Sequence, residues 1–133
     1  MEKLIIKIGA SNDHFGAFAE NVEGVYGAGD SPKEALDNLQ EAIRLILESR
    51  PQDEIPELLL APYELEVHYD VVSLLRHYGK IITMPALSRL TGINDKLLHQ
   101  YTSGAKRPRP AQVQKIETAL HQLGSELVSL RLS

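Results

Sequence analysis

The feature that most constrains the fold is the stretch from Thr83 to Arg109, where two short helical patterns are each ended by a glycine. Thr83 is a suitable N-cap for the first helix. Gly92 lies directly after that helix, at a position where the backbone often takes positive φ. Asn94 caps the second helix, and Gly104 ends it in the same way. Two short helices joined by a glycine-containing turn cross at a steep angle, which is the arrangement of a helix-turn-helix.

The residues around this turn resemble the Cro/C1-type (Xre-like) helix-turn-helix family. The shared features are an apolar-spaced helix, a Gly-apolar-polar turn, a second helix and a basic loop with proline. In chain order they are Ala86-Leu87, Gly92-Ile93-Asn94, Asp95 to Ser103 and Gly104 to Pro110. The chain departs from the family at Ser88, where Ala is usual, and at Asp95, which is acidic on the helix that would face DNA. The resemblance covers about half the chain and implies binding to double-stranded DNA.

Contacts with DNA are expected from the second helix and the loop behind it. By resemblance, the base contacts are Asp95, Lys96 and Gln100, since Lys bonds guanine, Gln bonds adenine and Asp accepts from cytosine N4. The expected contacts with the DNA backbone are Thr83, Met84, His99, Lys106 and Arg107, partly through helix N-terminal amides. The alternative is that Asp95 only stabilises a helix N-terminus, and that the basic residues form a solvated loop.

Each base contact is typically worth only about 1 to 3 kcal/mol. A single helix-turn-helix therefore binds DNA too weakly by itself, and specific DNA sites usually consist of two half-sites bound by two copies of the protein. A homo-oligomer, at least a dimer, is expected.

Charge divides the chain of 133 residues into two parts of opposite sign. Residues 1–69 hold 5 Lys and Arg against 14 Asp and Glu, whereas residues 70–133 hold 9 against 4. We therefore predict a partner-binding or dimerisation domain at 1–69 and a DNA-binding domain at 70–133. The basic part is attracted to phosphate, and the acidic part suits a basic protein partner.

Apolar patterns in the acidic part predict three strands, a helix and a fourth strand. The strands are Leu4 to Ile8, His14 to Ala19 and Val25 to Ala28, with a turn at residues 11–13. Ser31 with Glu34 forms the pattern of a capping box, which opens a helix that ends at Arg50-Pro51. Tyr63 to Asp70 alternates apolar and polar side chains, as in a strand with one face toward water.

Part of this region resembles the N-terminal domain of HicB-type antitoxins. The residues that carry the resemblance are Gly16-Ala17-Phe18, Val22-Glu23-Gly24, Tyr26 to Ser31 and Glu34-Ala35-Leu36. The chain departs from the family around Ala19 and Glu23, where prolines are usual, and at Lys33, which replaces a glutamate.

The HicB resemblance implies an α+β fold, with a small β-β-β-α-β HicB-like domain followed by an all-α helix-turn-helix domain. It also implies an antitoxin and autorepressor that neutralises a small basic ribonuclease toxin and binds its own promoter. The residues expected to meet the toxin are Asp13, Glu20, Glu23 and Asp30. The alternative is a stand-alone transcriptional regulator whose first domain only oligomerises.

Other classes of function find little support. The chain has no cysteine, so thiolate metal sites are excluded, and its five histidines lack metal-ligand spacing. Two-metal catalysis would require Asp13, Glu20, Asp30 and Asp37 to converge within a few ångströms, whereas solvated positions are expected for them. No enzymatic activity, metal or cofactor is expected. No apolar run is long enough for a membrane span, and a cytoplasmic location is expected.

Two further helices are predicted in the basic part. The first is Val71 to Tyr78, capped by Asp70 and ended by Gly79. The second starts at Pro110 and ends at Gly124. The tail at 127–132 alternates apolar and polar residues, as in a terminal strand, but a short helix at Ser125 to Leu130 fits the sequence as well, and the pattern does not decide between them.

Overall fold

The structure is a computed structural model that describes residues 1–11 and 13–133. The chain divides into two compact units, residues 1–74 and 75–133. Asn12, which belongs to the predicted turn at 11–13, lies outside the described residues. The elements are, in chain order, β1 (Glu2–Ala10), β2 (Phe15–Ala19), β3 (Tyr26–Gly29), α1 (Pro32–Ser49), β4 (Tyr63–Tyr69), α2 (Val71–Tyr78), α3 (Met84–Thr91), α4 (Asp95–Ser103) and α5 (Pro110–Ser129). Two 3-10 helices, Gln52–Glu54 and Glu57–Leu60, lie between α1 and β4.

The four strands form one sheet in the order β3-β2-β1-β4. β2 pairs with both β1 and β3 in antiparallel fashion, whereas β4 pairs with β1 in parallel. Leu4, Ile6 and Ile8 of β1 are at most 1% exposed. They share one face because alternate residues of a strand point to the same side. With Ala17 and Ala19 of β2, they form the sheet side of a core that α1 covers.

α1 is amphipathic and is capped as the sequence predicts. Its buried residues are Ala35, Leu39, Ile43 and Ile46. Ser31 Oγ accepts a hydrogen bond from the backbone N–H of Glu34 at 3.1 Å. The Glu34 carboxylate accepts in return from the backbone N–H of Asp30 at 3.3 Å, one residue before the usual partner in a capping box. Both bonds fix the point at which the chain leaves β3 and enters the helix.

α1 lies very close to β3 at Gly27. A methyl group there would lie 2.3 Å from the backbone N of Leu39 and 2.7 Å from the carbonyl O of Ala35. No side chain fits in this space. Gly27 therefore sets how closely the helix approaches the edge of the sheet.

The predicted apolar face of β4 is only partly covered. Tyr63 and Val67 pack against the core. Leu65 and Tyr69, on the same face, remain 37% and 48% exposed. α1 packs mainly against β3 and β2, so it leaves the side of the sheet near β4 open.

The predicted fold class is wrong. The chain has a mixed α/β fold with one four-stranded sheet and five α-helices, not a β-β-β-α-β HicB-like domain followed by an all-α helix-turn-helix domain. The division between the compact units falls inside α2. The start of this helix is bound to the sheet, since Ala10 N donates to Ser73 Oγ at 2.7 Å and Asp70 N donates to Ile8 O at 2.8 Å. The first residues of α2 therefore belong to the unit that contains the sheet.

α5 is longer than predicted. It continues through Gly124 to Ser129, and residues 130–133 have no regular structure. Gly124 does not take positive φ, and a glycine inside a helix costs only about 1 kcal/mol relative to Ala. Of the two alternatives for the tail, the helix forms and the terminal strand at 127–132 does not. A helix satisfies its own backbone hydrogen bonds, whereas a strand requires a partner.

Among the described residues, no helix combines the length and the apolar character that a membrane crossing requires.

Candidate nucleic-acid interface

The turn between α3 and α4 is built as the sequence predicts. Thr83 Oγ1 accepts from the backbone N–H of Ala86 at 3.2 Å, which caps α3. Gly92 ends α3 with φ 75° and ψ 9°, a left-handed conformation that glycine adopts without strain. Asn94 Oδ1 then accepts from the backbone N–H of Lys96 at 2.8 Å, which caps α4. The predicted caps are confirmed.

Two hydroxyl groups hold this turn in addition to the caps. Ser88 Oγ donates to the carbonyl O of Ile93 across the turn. Thr91 Oγ1 donates to Leu87 O at 2.8 Å and accepts from Ile93 N at 3.1 Å. The residue type at 88 therefore matters, because the Ala usual in the resembling family makes no such bond. Sequence reasoning did not predict this contact, because it identified Ser88 only as a departure from the usual Ala.

α4 has one buried face and one exposed face. Leu98 and Tyr101 are at most 3% exposed. Lys96 and His99 are exposed, and Gln100 is half-buried. These three share a face because residues three and four apart on a helix are neighbours. Asp95 is exposed in the first turn of the same helix.

The basic loop folds back on the end of α4. Gly104 ends α4 with φ 83°, and Lys106 N donates to Gln100 O at 3.1 Å. A depression of about 600 Å³ forms beside α4. The residues that line it are Leu97, Tyr101, Lys106, Arg107, Arg109, Ala111 and Gln112. Three cations thus surround one depression whose lining contains no acidic residue.

The cations on and after α4 have no acidic partner among the described residues. Lys96, Lys106, Arg107 and Arg109 form no ion pair within the described part of the chain, where the ion pairs fall in residues 1–74. Residues 75–133 hold 9 Lys and Arg against 3 Asp and Glu, a net charge of +6. Unneutralised cations on one surface attract an anionic partner.

Several expected or neighbouring residues have other roles. Thr83 is exposed but uses its hydroxyl as a cap. Met84 is half-buried, and its terminal methyl would lie 3.4 Å from a Cβ at Gly79, so its side chain turns toward the end of α2. Arg76 Nε donates to Thr102 O at 2.8 Å, which ties α2 to α4. Arg109 lines the same depression as Lys106 and Arg107, and these three residues are here called the cationic surface. The signal for Arg109 in the sequence was its place in the basic loop.

The acidic residues expected to meet a toxin do not form one cluster. Asp13 precedes β2 and Asp30 follows β3, at one end of the antiparallel pairs. Glu20 and Glu23 lie in the loop between β2 and β3, at the other end. The five-residue β2 separates the two ends by roughly 15 Å. Among the described residues, no three His, Asp or Glu side chains are placed to hold a metal ion together.

Asp13 has an immediate partner of its own. His14 Nδ1 lies 2.8 Å from Asp13 Oδ1, and both side chains are exposed. The hydrogen bond from His14, followed by its charge and a bond from Ser11, lowers the pKa of the Asp13 carboxyl below its usual value. Asp13 therefore stays ionised to lower pH than a free aspartate.

No family model, no curated protein and no solved structure matches this chain. The resemblances to the two families therefore rest on the quoted residues alone.

Proposed function

We propose that the chain is a transcriptional regulator that binds double-stranded DNA through α4 and the loop after it. The observation that carries this proposal is the unpaired cationic surface. Lys106, Arg107 and Arg109 line one depression and have no ion-pair partner in the described part of the chain. Cations placed in this way hold phosphates, which fix a protein on a duplex without selecting its sequence.

The exposed face of α4 is suited to reading bases. An α-helix about 10–12 Å across fits a major groove about 12 Å wide. Lys96 is exposed and Gln100 is half-buried on the same side of α4, and the basic loop returns to Gln100. Asp95 would repel phosphate, so within this arrangement it either accepts from cytosine N4 or stabilises the start of α4.

Binding to the DNA upstream of the protein's own gene tests the proposal. The full chain is titrated into that duplex and into a scrambled duplex of equal length, and fluorescence anisotropy gives both dissociation constants. Lys96→Ala and Gln100→Ala should each reduce the preference for the upstream duplex by about 1 to 3 kcal/mol. An unchanged preference in both variants would remove α4 as the base-reading element.

For residues 1–74 we propose a basic protein partner. This unit holds 5 Lys and Arg against 15 Asp and Glu, a net charge of −10, which favours association with a cationic protein. The HicB resemblance implies that this partner is a small basic ribonuclease toxin. The chain would then act in the cytoplasm as an antitoxin and as repressor of the promoter that both genes share.

The test is to search beside the gene for a short reading frame that encodes a basic protein, and to purify its product. Its purified product should cleave RNA, and one equivalent of this chain should abolish the cleavage. The alternative is a stand-alone regulator whose acidic unit only oligomerises. In that case the neighbouring product forms no complex with this chain, and binding to the upstream DNA persists.

A further inference from the structure

α5 carries an apolar stripe, and only part of this stripe packs against the rest of residues 75–133. The apolar residues recur at alternating intervals of three and four. They are Val113, Ile116, Leu120, Leu123, Leu127 and Leu130. This is the spacing of the a and d positions of a coiled coil, and the named residues are here called the α5 seam.

Exposure rises along the α5 seam. Ile116 is 2% exposed and belongs to the core of its unit. Leu120 and Leu123 are half-buried. Leu127 and Leu130 are 57% and 58% exposed. The helix therefore continues beyond the part of the unit that it packs against. Leu127 in its last turn and Leu130, the residue directly after the helix, are presented to solvent.

We propose that the end of the α5 seam binds a second copy of this chain, with the two α5 helices side by side and parallel. The charged residues that flank the seam support this choice of partner. Glu126 occupies a g position and Arg131 the e position five residues later. In a parallel pair, a g residue of one helix faces the e residue five positions on in the other, so Glu126 meets Arg131 twice.

An antiparallel pair is disfavoured by the same residues. Positions e would then face e and positions g would face g, so Glu126 and Arg131 would lie on opposite sides of the seam and could not pair. A surface that carries both signs in this order is complementary to itself, as a two-fold symmetric contact requires. Arg131 follows the Leu130 cap of α5, so pairing extends the helix by about one turn.

This inference does not rest on DNA binding, because a measurement of the protein's mass in solution detects the dimer without any nucleic acid. It does bear on the proposed function. Two joined copies present two α4 helices, which is what a site with two half-sites requires.

Sedimentation equilibrium of the full chain over a range of concentrations tests the inference. The wild-type chain should give a dimer mass, and Leu127→Glu should give a monomer mass at the same concentrations. Val128→Glu is the matched control, because Val128 is 81% exposed on the same turn but lies off the seam, and it should remain a dimer. A wild-type monomer at every concentration, or equal behaviour of the two variants, would overturn the proposal.

Charge reversal tests the parallel register without changing the seam. Glu126→Arg and Arg131→Glu should each raise the dimer dissociation constant by about two- to thirty-fold, since each affects two exposed ion pairs. The double variant should return to the wild-type value. Single variants with unchanged dissociation constants, or a double variant as weak as the singles, would contradict the parallel arrangement. Far-ultraviolet circular dichroism confirms that each variant is folded.

Discussion

Replacing Gly27 with Ala should destabilise the sheet-containing unit far more than an ordinary surface substitution. The added methyl would lie 2.3 Å from Leu39 N, 2.7 Å from Ala35 O and 2.8 Å from Asn38 C. All three are backbone atoms of α1, so no side chain can turn away to relieve the contact. α1 must move outward by about 1 Å, to restore ordinary van der Waals separation.

The cost follows from what α1 covers. Leu39 and Ala35 are fully buried against the sheet, and moving the helix loosens their packing. Overpacking of this kind costs typically about 1 to 3 kcal/mol. The loss is a large part of the roughly 5 to 15 kcal/mol that holds a domain folded.

Urea unfolding followed by circular dichroism measures this effect. Gly16→Ala is the matched control, because Gly16 lies in β2 of the same sheet and a methyl there meets no atom within 4 Å. We expect a clear loss of stability for Gly27→Ala and a change within about 0.5 kcal/mol for Gly16→Ala. Equal stabilities of the two variants would refute the close approach of α1 to β3.

The remaining predictions concern the turn before α4 and the loop before β2. Ser88→Ala should destabilise the turn by about 1 to 3 kcal/mol, since it leaves the Ile93 carbonyl without the hydrogen bond from Ser88 Oγ. Chemical unfolding measures this loss, and a free energy of unfolding equal to that of the wild type would contradict the prediction. His14→Ala should raise the pKa of Asp13 toward its ordinary value, as a carboxyl titration by NMR would show. Because the folded pKa of Asp13 is lowered, its contribution to stability is present above the ordinary pKa. That contribution disappears as pH falls through the lowered pKa. An Asp13 pKa that is the same in His14→Ala and in the wild type would contradict the pairing of Asp13 with His14.

The local features of the chain were predictable because they depend on neighbouring residues. α2 runs from Val71 to Tyr78 as predicted, since Asp70 Oδ2 accepts from Ser73 N at 3.1 Å. The caps at Thr83 and Asn94 follow from the same local chemistry. The prediction at Gly124 failed because a glycine ends a helix only where positive φ is required, and here the residues after it continue the helix.

The long-range features were not predictable from one sequence. Alternation identified β4, but it contains no information on the parallel pairing of β4 with β1, which changes the fold class. The acidic residues are spread along the sequence, and the strand register shows that Asp13 and Asp30 lie at one end of the β2–β3 pair while Glu20 and Glu23 lie at the other. The cationic surface depends on the return of the basic loop toward α4, which the Lys106 backbone bond establishes.

The central claim is that the cationic surface beside α4 binds the phosphates of duplex DNA. The most direct measurement is the salt dependence of binding to the upstream duplex for the wild type, Arg107→Ala and Lys115→Ala. Lys115 is an exposed cation of the same unit that does not line the depression. We predict that Arg107→Ala weakens binding and reduces the slope of log K against log salt by about 1, while Lys115→Ala leaves both unchanged. Absence of binding at low salt, or the same slope for all three proteins, would contradict the account.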